Sequence, residues 1–80
     1  MAEYVPATIT VWKDRRPVDI SVQVSIREGS GRAHSRGATR YGKVTLNVPK
    51  REQYTICLDD YGKSERGYTS GDRDNIDIYL

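Results

Sequence analysis

The chain has 80 residues, a formal net charge of +2 and a single cysteine. A chain of this length forms one domain with a modest hydrophobic core, so residues 1–80 are interpreted as a single domain. One cysteine excludes an intramolecular disulfide, and no apolar run reaches the length that spans a membrane. With no secretory signal recognised in the sequence, we expect a cytoplasmic protein that does not contact membranes.

Alternation of apolar and polar residues with a period of two is the dominant pattern, and it predicts β-strands. The first strand is predicted near residues 8–13, where apolar residues fall on both parities. Cleaner alternation follows in residues 20–26, 44–48, 54–58 and 76–80. Turn-forming residues separate these runs, and no stretch has the 3.6-residue period of a helix. The segments 27–43 and 61–73 are predicted to be long loops.

Alternating strands of this kind pair antiparallel, with one face on a core and the other in water. The predicted fold is therefore all-β, as a small antiparallel β-sandwich or a partly open barrel of five to six strands. The predicted core consists of Ile9, Val11, Ile20, Val22, Val24, Ile26, Val44, Leu46, Val48, Tyr54, Ile56, Leu58, Ile76, Ile78 and Leu80.

The segment from Thr39 to Pro49 contains a turn with Gly42 and an alternating strand that ends in Val-Pro, and Tyr54 then opens a Tyr-Thr-Ile run. Over about half of the chain, this arrangement resembles the transthyretin-like and carboxypeptidase-regulatory-like β-sandwich domains. The sequence departs from that family at Arg40, where Asp is common, in lacking a Gly after Pro49, and in a late Tyr54. The alternation after the first turn is also one residue out of phase. The resemblance implies a sandwich with an accessory or binding role, and no catalytic residue.

The predicted loop 27–43 is rich in Arg, Gly and Ser. Guanidinium groups on such a backbone can bind phosphates bidentately, and a neighbouring tyrosine can stack on a base. The same groups can bind an acidic protein surface, or the segment is simply a solvated loop whose charges aid solubility. The candidate binding residues here are Arg32, Arg36, Arg40, Tyr41 and Lys43.

The predicted loop 61–73 provides a second set of candidates, Tyr61, Arg66 and Tyr68. Exposed tyrosine beside arginine is typical of protein-contact surfaces. Alternatively, these rings cap the ends of a small core. The terminal strands are candidate sheet edges, and an exposed edge can pair with another chain.

Residues with catalytic or metal-binding chemistry are few. His34 has no second histidine or nearby cysteine to complete a zinc set, and Cys57 lies in a predicted strand rather than at a helix N-terminus. The acidic segment 72–77, with Asp59 and Asp60, has oxygen ligands suited to calcium, but it lacks the glycine and terminal glutamate of an EF-hand loop. Asx-turns account for it better. We predict no catalytic residues, no metal and no cofactor.

These observations favour a non-catalytic protein-interaction module on a small β-sandwich, with a protein as its partner. The alternative is a small nucleic-acid-binding β-protein that uses the basic Gly/Arg loop for phosphate contacts. Such a domain is usually more basic than this chain. An enzyme is the least favoured class because no paired acid, base or nucleophile is visible.

Overall fold

A computed structural model describes residues 3–29 and 32–80 of the chain. This part contains eight β-strands and one short 3-10 helix, and it measures 38 × 23 × 16 Å along its principal axes. The elements in chain order are β1 (Tyr4–Lys13), β2 (Arg16–Pro17), β3 (Gln23–Glu28), β4 (Ala33–Ala38), β5 (Lys43–Pro49), β6 (Gln53–Leu58), the 3-10 helix (Asp59–Tyr61), β7 (Lys63–Tyr68) and β8 (Asp74–Tyr79).

The strands form two sheets. In sheet A, β5 and β2 pair antiparallel with successive parts of one side of β1, and β8 pairs with the other side in parallel. Sheet B has the order β4-β3-β6-β7 and is antiparallel throughout. The predicted small all-β sandwich is therefore confirmed, and the two sheets do not close into a barrel. The β1–β8 pair is the exception to the predicted antiparallel pairing.

The core lies between the sheets and is built from the alternating apolar residues. Most of the predicted core residues are buried, and Val44 and Ile76 are partly buried against them. Leu80 is exposed, contrary to the prediction, because it follows the last residue of β8. The core also contains three residues from outside the predicted set, Val5, Ala7 and Val18. Val5 and Ala7 belong to the N-terminal part of β1, which begins four residues earlier than predicted.

The prediction for Ile20 was wrong, since its side chain is 59% exposed and β3 begins only at Gln23. Residues 18–22 carry the chain from sheet A to sheet B, and the buried Thr39 holds this crossing in place. The Thr39 hydroxyl accepts a hydrogen bond from the Val22 N–H at 2.9 Å and donates to the Ile20 carbonyl at 3.3 Å. These bonds keep the backbone at Ile20 and Val22 out of the β3 ladder. The apolar alternation of the sequence includes Ile20, but the strand itself does not.

The prediction that residues 27–43 and 61–73 form long loops was wrong, because these segments contain the edge strands β4 and β7. Neither strand has a branched aliphatic residue, and none of their residues is buried. Hydrophobic alternation cannot reveal such strands, since an edge strand needs only ladder hydrogen bonds to one neighbour. With the two-residue β2, they raise the number of strands in the described part of the chain to eight, above the five to six predicted.

Candidate functional site

Two tight turns meet at one end of the sandwich. In sheet A, Trp12 pairs with both Pro17 and Tyr79, and the backbone N–H of Val11 donates to the carbonyl of Gly42 at 2.8 Å. The Lys63 ammonium group of sheet B donates a hydrogen bond to the Tyr79 carbonyl and so joins the two sheets at this end. We call this surface the hairpin end and define it as residues 12–20, 40–43, 59–63 and 79–80.

Both turns at the hairpin end have two central residues with positive φ. The values are 54° for Asp14 and 67° for Arg15 in the first turn, and 54° for Tyr41 and 82° for Gly42 in the second. Turns with this property, the type I′ turns, favour Asn-Gly because other residues pay a steric cost in the left-handed region. Arg15 and Tyr41 therefore carry a steric cost that Gly or Asn would avoid at these positions. Strained backbone of this kind clusters at functional sites.

Each turn is also closed by two like charges that stand directly opposite each other. Lys13 pairs with Arg16 across the first turn, and Arg40 pairs with Lys43 across the second. Like charges in directly opposed positions destabilise a β-ladder. With Arg15, five of the 13 Lys and Arg residues of the chain lie in residues 12–20 and 40–43, against two of its 11 acidic residues. These two segments therefore carry a net charge of +3. With Asp59, Asp60 and Lys63 included, the hairpin end as defined carries +2, and the rest of the chain carries no net charge.

Exposed apolar side chains collect at the same end. Seven large apolar or aromatic residues are exposed among those that the structure describes, and five of them belong to the hairpin end. These five are Ile20, Tyr41, Tyr61, Tyr79 and Leu80. Tyr41 is the extreme case at 83% exposure. Concentrated exposed apolar surface on a small domain marks an interaction site more often than scattered single residues do.

A groove of about 790 Å³ opens beside the first turn. Pro17, Val18 and Ile20 provide its apolar surface, and charged side chains form its rim. Its volume lies in the range of ligand pockets, although the groove is open to solvent rather than enclosed. The charged residues of the rim are Lys13, Asp14, Arg16 and Asp19.

An aromatic pair lies beside this groove on the outer face of sheet A. The rings of Trp12 and Tyr79 stack with centroids 6.3 Å apart and planes inclined by 18°. The Trp12 indole N–H donates to the Asp77 carboxylate at 3.0 Å, which fixes the orientation of the indole ring. The hairpin end thus has a stacked and hydrogen-bonded aromatic pair next to exposed cationic side chains.

The structure divides the sequence-predicted site residues between three places. Arg40, Tyr41, Lys43 and Tyr61 belong to the hairpin end. Arg32 precedes β4 at the opposite end, since the six residues of β4 separate it from Arg40 by about 20 Å at 3.3 Å per residue. The single basic loop expected over residues 27–43 therefore does not exist as a loop.

The remaining candidates lie on the outer face of sheet B. Arg36 on β4 pairs with Ser25 of β3, whereas Arg66 and Tyr68 on β7 pair with residues of β6. The sheet places Arg36 on one edge strand and Arg66 on the other, so they do not form one cluster. All three side chains are exposed.

At the opposite end, the structure brings together three residues that the sequence analysis did not connect. The Tyr4 hydroxyl donates to the Glu28 carboxylate at 3.1 Å, and the same carboxylate oxygen lies 3.8 Å from Nδ1 of His34. The rings of Tyr4 and His34 stack at 4.2 Å. The hydrogen bond to Glu28 raises the pKa of Tyr4, and desolvation adds to the effect. No sequence signal indicated this cluster, because its members come from three strands in two sheets.

The acidic residues considered for calcium binding are engaged separately. Asp72 accepts from the Lys50 ammonium group, Asp74 accepts from the Thr69 hydroxyl, and Asp59 accepts from the Ser25 hydroxyl. Within residues 3–29 and 32–80, no group of three or more His, Cys, Asp or Glu side chains is placed to hold a metal ion. In the part of the chain that the structure describes, no helix has the length and apolar character that a membrane span requires.

No protein-family profile matches this sequence, and no curated protein sequence is detectably similar to it.

Proposed function

We propose that this chain is a non-catalytic protein-interaction module that binds its partner through the hairpin end. The observation that carries the proposal is the coincidence of exposed apolar side chains with strained turns. Five of the seven exposed large apolar residues and three of the four non-glycine residues with positive φ, among those described, lie at this end. Both features cost the free protein stability or solubility, and a bound partner offsets that cost by covering the apolar surface.

The composition of the hairpin end suits a protein partner. Tyrosine, tryptophan and arginine are the residues that most often dominate binding energy at protein interfaces.

A second candidate function is nucleic-acid binding, and one observation favours it. Arg40, Tyr41 and Lys43 lie together at the tip of the second turn, where two cationic side chains flank the exposed ring of Tyr41. Single-stranded nucleic acids bind to such combinations of phosphate contacts and stacking. Arg32 and Arg36 lie away from this tip, so two of the five candidate residues in the segment 27–43 do not contribute to it. A protein partner therefore remains the first proposal.

The proposal includes two further elements. The two-sheet architecture is compatible with the resemblance to transthyretin-like domains at the level of fold class, and an accessory binding role is what that resemblance implies. The single free thiol, Cys57, suits a reducing compartment, which supports a cytoplasmic location.

Affinity capture with matched variants tests the proposed function. Tyr41→Ser and Ile20→Ser alter exposed residues of the hairpin end, and Tyr68→Ser alters a tyrosine at the other end of the molecule that is about as exposed as Ile20. The proposal predicts that the first two variants lose the captured protein while Tyr68→Ser retains it. Equal capture by all three folded variants, or loss with Tyr68→Ser alone, contradicts it.

A further inference from the structure

We propose that the outer face of sheet B binds single-stranded nucleic acid, with Arg27, Arg36 and Arg66 on its phosphates. The register of the β-ladders brings these arginines from three strands onto one surface. The surface is separate from the hairpin end, so the inference goes beyond the function proposed there and does not rest on it.

The pairing of the strands determines which side chains share this face. Directly paired residues of a ladder project on the same side of a sheet, and neighbours along a strand alternate between its two sides. Val24 and Ile26 are buried in the core, so Ser25 and Arg27 lie on the outer side. We call the outer side the arginine face, and pairing extends it from these two residues to Gln23, Ala33, Arg36, Ala38, Gln53, Thr55, Cys57, Ser64, Arg66 and Tyr68.

The acidic residues of the four strands project away from the arginine face. They are Glu28 on β3 and Glu65 on β7, which pair with the buried Tyr54 and Ile56. Because paired residues share a side, both carboxylates point away from the arginines. Within the described ladders of sheet B, the arginine face therefore has three cations and no Asp or Glu.

One carboxylate borders the face at the corner nearest the hairpin end. Asp59 follows β6 and accepts a hydrogen bond from the Ser25 hydroxyl at 3.1 Å. The ion pairs found in residues 3–29 and 32–80 include neither Arg36 nor Arg66. Both of these arginines are exposed, so their guanidinium groups can bind an external anion.

The spacing of the three arginines suits a chain of phosphates. Arg27 and Arg66 flank Thr55 in one row across the sheet, so their Cα atoms lie about 10 Å apart at about 4.8 Å per strand. Arg36 lies one strand and two residues from Arg27, at about 8 Å, and about 16 Å from Arg66. A polymer with a phosphate at every unit fits positions spread over this distance better than one isolated phosphate group does.

Small side chains separate the arginines and leave room for phosphates to approach the sheet. Thr55, Cys57 and Ser64 occupy the positions between Arg27 and Arg66 and along the adjoining row. The hydroxyl groups of Thr55 and Ser64 add donors of the kind that contact phosphate oxygens. All of the cations on this face are arginine, whose planar guanidinium group binds phosphate bidentately.

A place for a base adjoins Arg66. Tyr68 is 56% exposed and lies two residues from Arg66 on the same side of β7, with Gln53 as its direct partner on β6. A pocket of about 270 Å³ opens beside them and is lined by Gly29, Gln53, Tyr54, Thr55 and Arg66. Unpaired bases stack on aromatic side chains of sheet surfaces, and a glutamine amide can hydrogen-bond to a base edge. An acidic protein segment offers carboxylates to the arginines but no base for this pocket, so nucleic acid is the ligand that uses the whole face.

The fluorescence anisotropy of a labelled oligothymidylate of about ten nucleotides measures binding by the full chain at several salt concentrations. In about 50 mM salt, Arg36→Gln/Arg66→Gln is expected to weaken binding by about tenfold. The slope of log K against log salt should also fall by about 1.4, because each of the two lost phosphate contacts accounts for about 0.7. Tyr68→Ser should weaken binding by at least about fivefold with an unchanged slope, because it removes stacking rather than charge.

The matched control is Arg16→Gln/Lys43→Gln, which removes two exposed cations from the hairpin end. It should bind the oligothymidylate within about threefold of the original protein, because its cations lie outside the arginine face. Thermal unfolding followed by circular dichroism establishes that all three variants are folded. A loss of affinity in this control equal to that in Arg36→Gln/Arg66→Gln overturns the site on sheet B.

Two further outcomes also overturn the proposal. One is the absence of oligothymidylate binding by the original protein in about 50 mM salt, where phosphate contacts are strongest. The other is displacement of the oligothymidylate by an equal concentration of a Glu-rich peptide, which would assign the face to an acidic protein. The hairpin end is tested separately, since Tyr68→Ser should lose oligothymidylate affinity while it retains the captured protein.

Discussion

The ring of Tyr54 lies against the α-carbon of Gly67, its directly paired partner on the neighbouring strand. A Cβ on Gly67 would come within 2.7 Å of the Tyr54 Cζ and 3.0 Å of its hydroxyl oxygen. Glycine at this position therefore lets a bulky ring that is 99% buried fill the core beneath an edge strand made of polar residues. The packing of β7 depends on this close approach.

Gly67→Ala should destabilise the protein by about 1–3 kcal/mol, because the added methyl group displaces the Tyr54 ring from a tightly packed position. Urea denaturation followed by tyrosine fluorescence measures the change in the free energy of unfolding. Gly71→Ala is the control, since a Cβ there meets only the Arg73 carbonyl at an ordinary 3.7 Å. Similar free energies of unfolding for the two variants would show that the Gly67 contact is unimportant.

Tyr54→Phe should cost about 1 kcal/mol at neutral pH, because it removes the buried hydrogen bond to the Thr69 hydroxyl at 2.7 Å. Burial raises the pKa of Tyr54 above its ordinary value of 10.0; the Thr69 hydrogen bond lowers it, and Asp74 raises it. Because the folded-state pKa is the higher one, this contribution to stability is complete below pH 10 and is lost as pH rises through the folded-state pKa.

The stability difference between the original protein and Tyr54→Phe should therefore shrink on going from pH 8 to above pH 10. Denaturation curves of both proteins across this range provide the measurement, and the subtraction removes the contributions of all other tyrosines. A difference that stays constant above pH 10 would contradict the assignment of a raised pKa to Tyr54.

Arg15→Gly should raise the free energy of unfolding by about 0.5–1 kcal/mol, because glycine adopts the φ of 67° observed there without steric cost. Arg73→Gly is the matched control, as Arg73 is exposed and is not among the residues with positive φ. That control should be neutral or slightly destabilising. Thermal unfolding that ranks the two variants in the opposite order would argue against strain in the first turn.

Ile20 and Ile26 provide a direct contrast between an exposed and a buried residue of one predicted strand. Ile26→Ala should destabilise the protein by about 2–5 kcal/mol, since it leaves a cavity in the core. Ile20→Ala should change the free energy of unfolding by less than about 0.5 kcal/mol. A cost for Ile20→Ala approaching that of Ile26→Ala would place Ile20 in the core after all.

Sequence alternation predicted the sandwich and most of its core because β3, β5, β6 and β8 each pack one face against the opposite sheet. Ile20 was misplaced because hydrogen bonds from Thr39, nineteen residues further along the chain, set the local backbone. The strands β4 and β7 were missed because polar edge strands lack apolar alternation. Such errors come from contacts between distant segments, which no local pattern contains.

The candidate site was predictable only in part, for the same reason. Arg40, Tyr41 and Lys43 were identified from composition, but their proximity to Lys13 and Arg16 follows from the pairing of β5 and β2 along one side of β1. Ile20 belongs to the site because of the same crossing that removes it from the core. The cluster of Tyr4, Glu28 and His34 likewise depends on the packing of one sheet on the other.

Site-specific photo-crosslinking shows whether the hairpin end binds the partner. A photoreactive phenylalanine derivative is placed at Tyr41 and, in a separate protein, at Tyr68, which is also exposed but lies at the other end of the molecule. After irradiation in a cell extract, we expect a specific protein adduct from position 41, suppressed by excess unmodified protein, and none from position 68. An adduct formed only from position 68, or a competed nucleic-acid adduct from position 41, would contradict it.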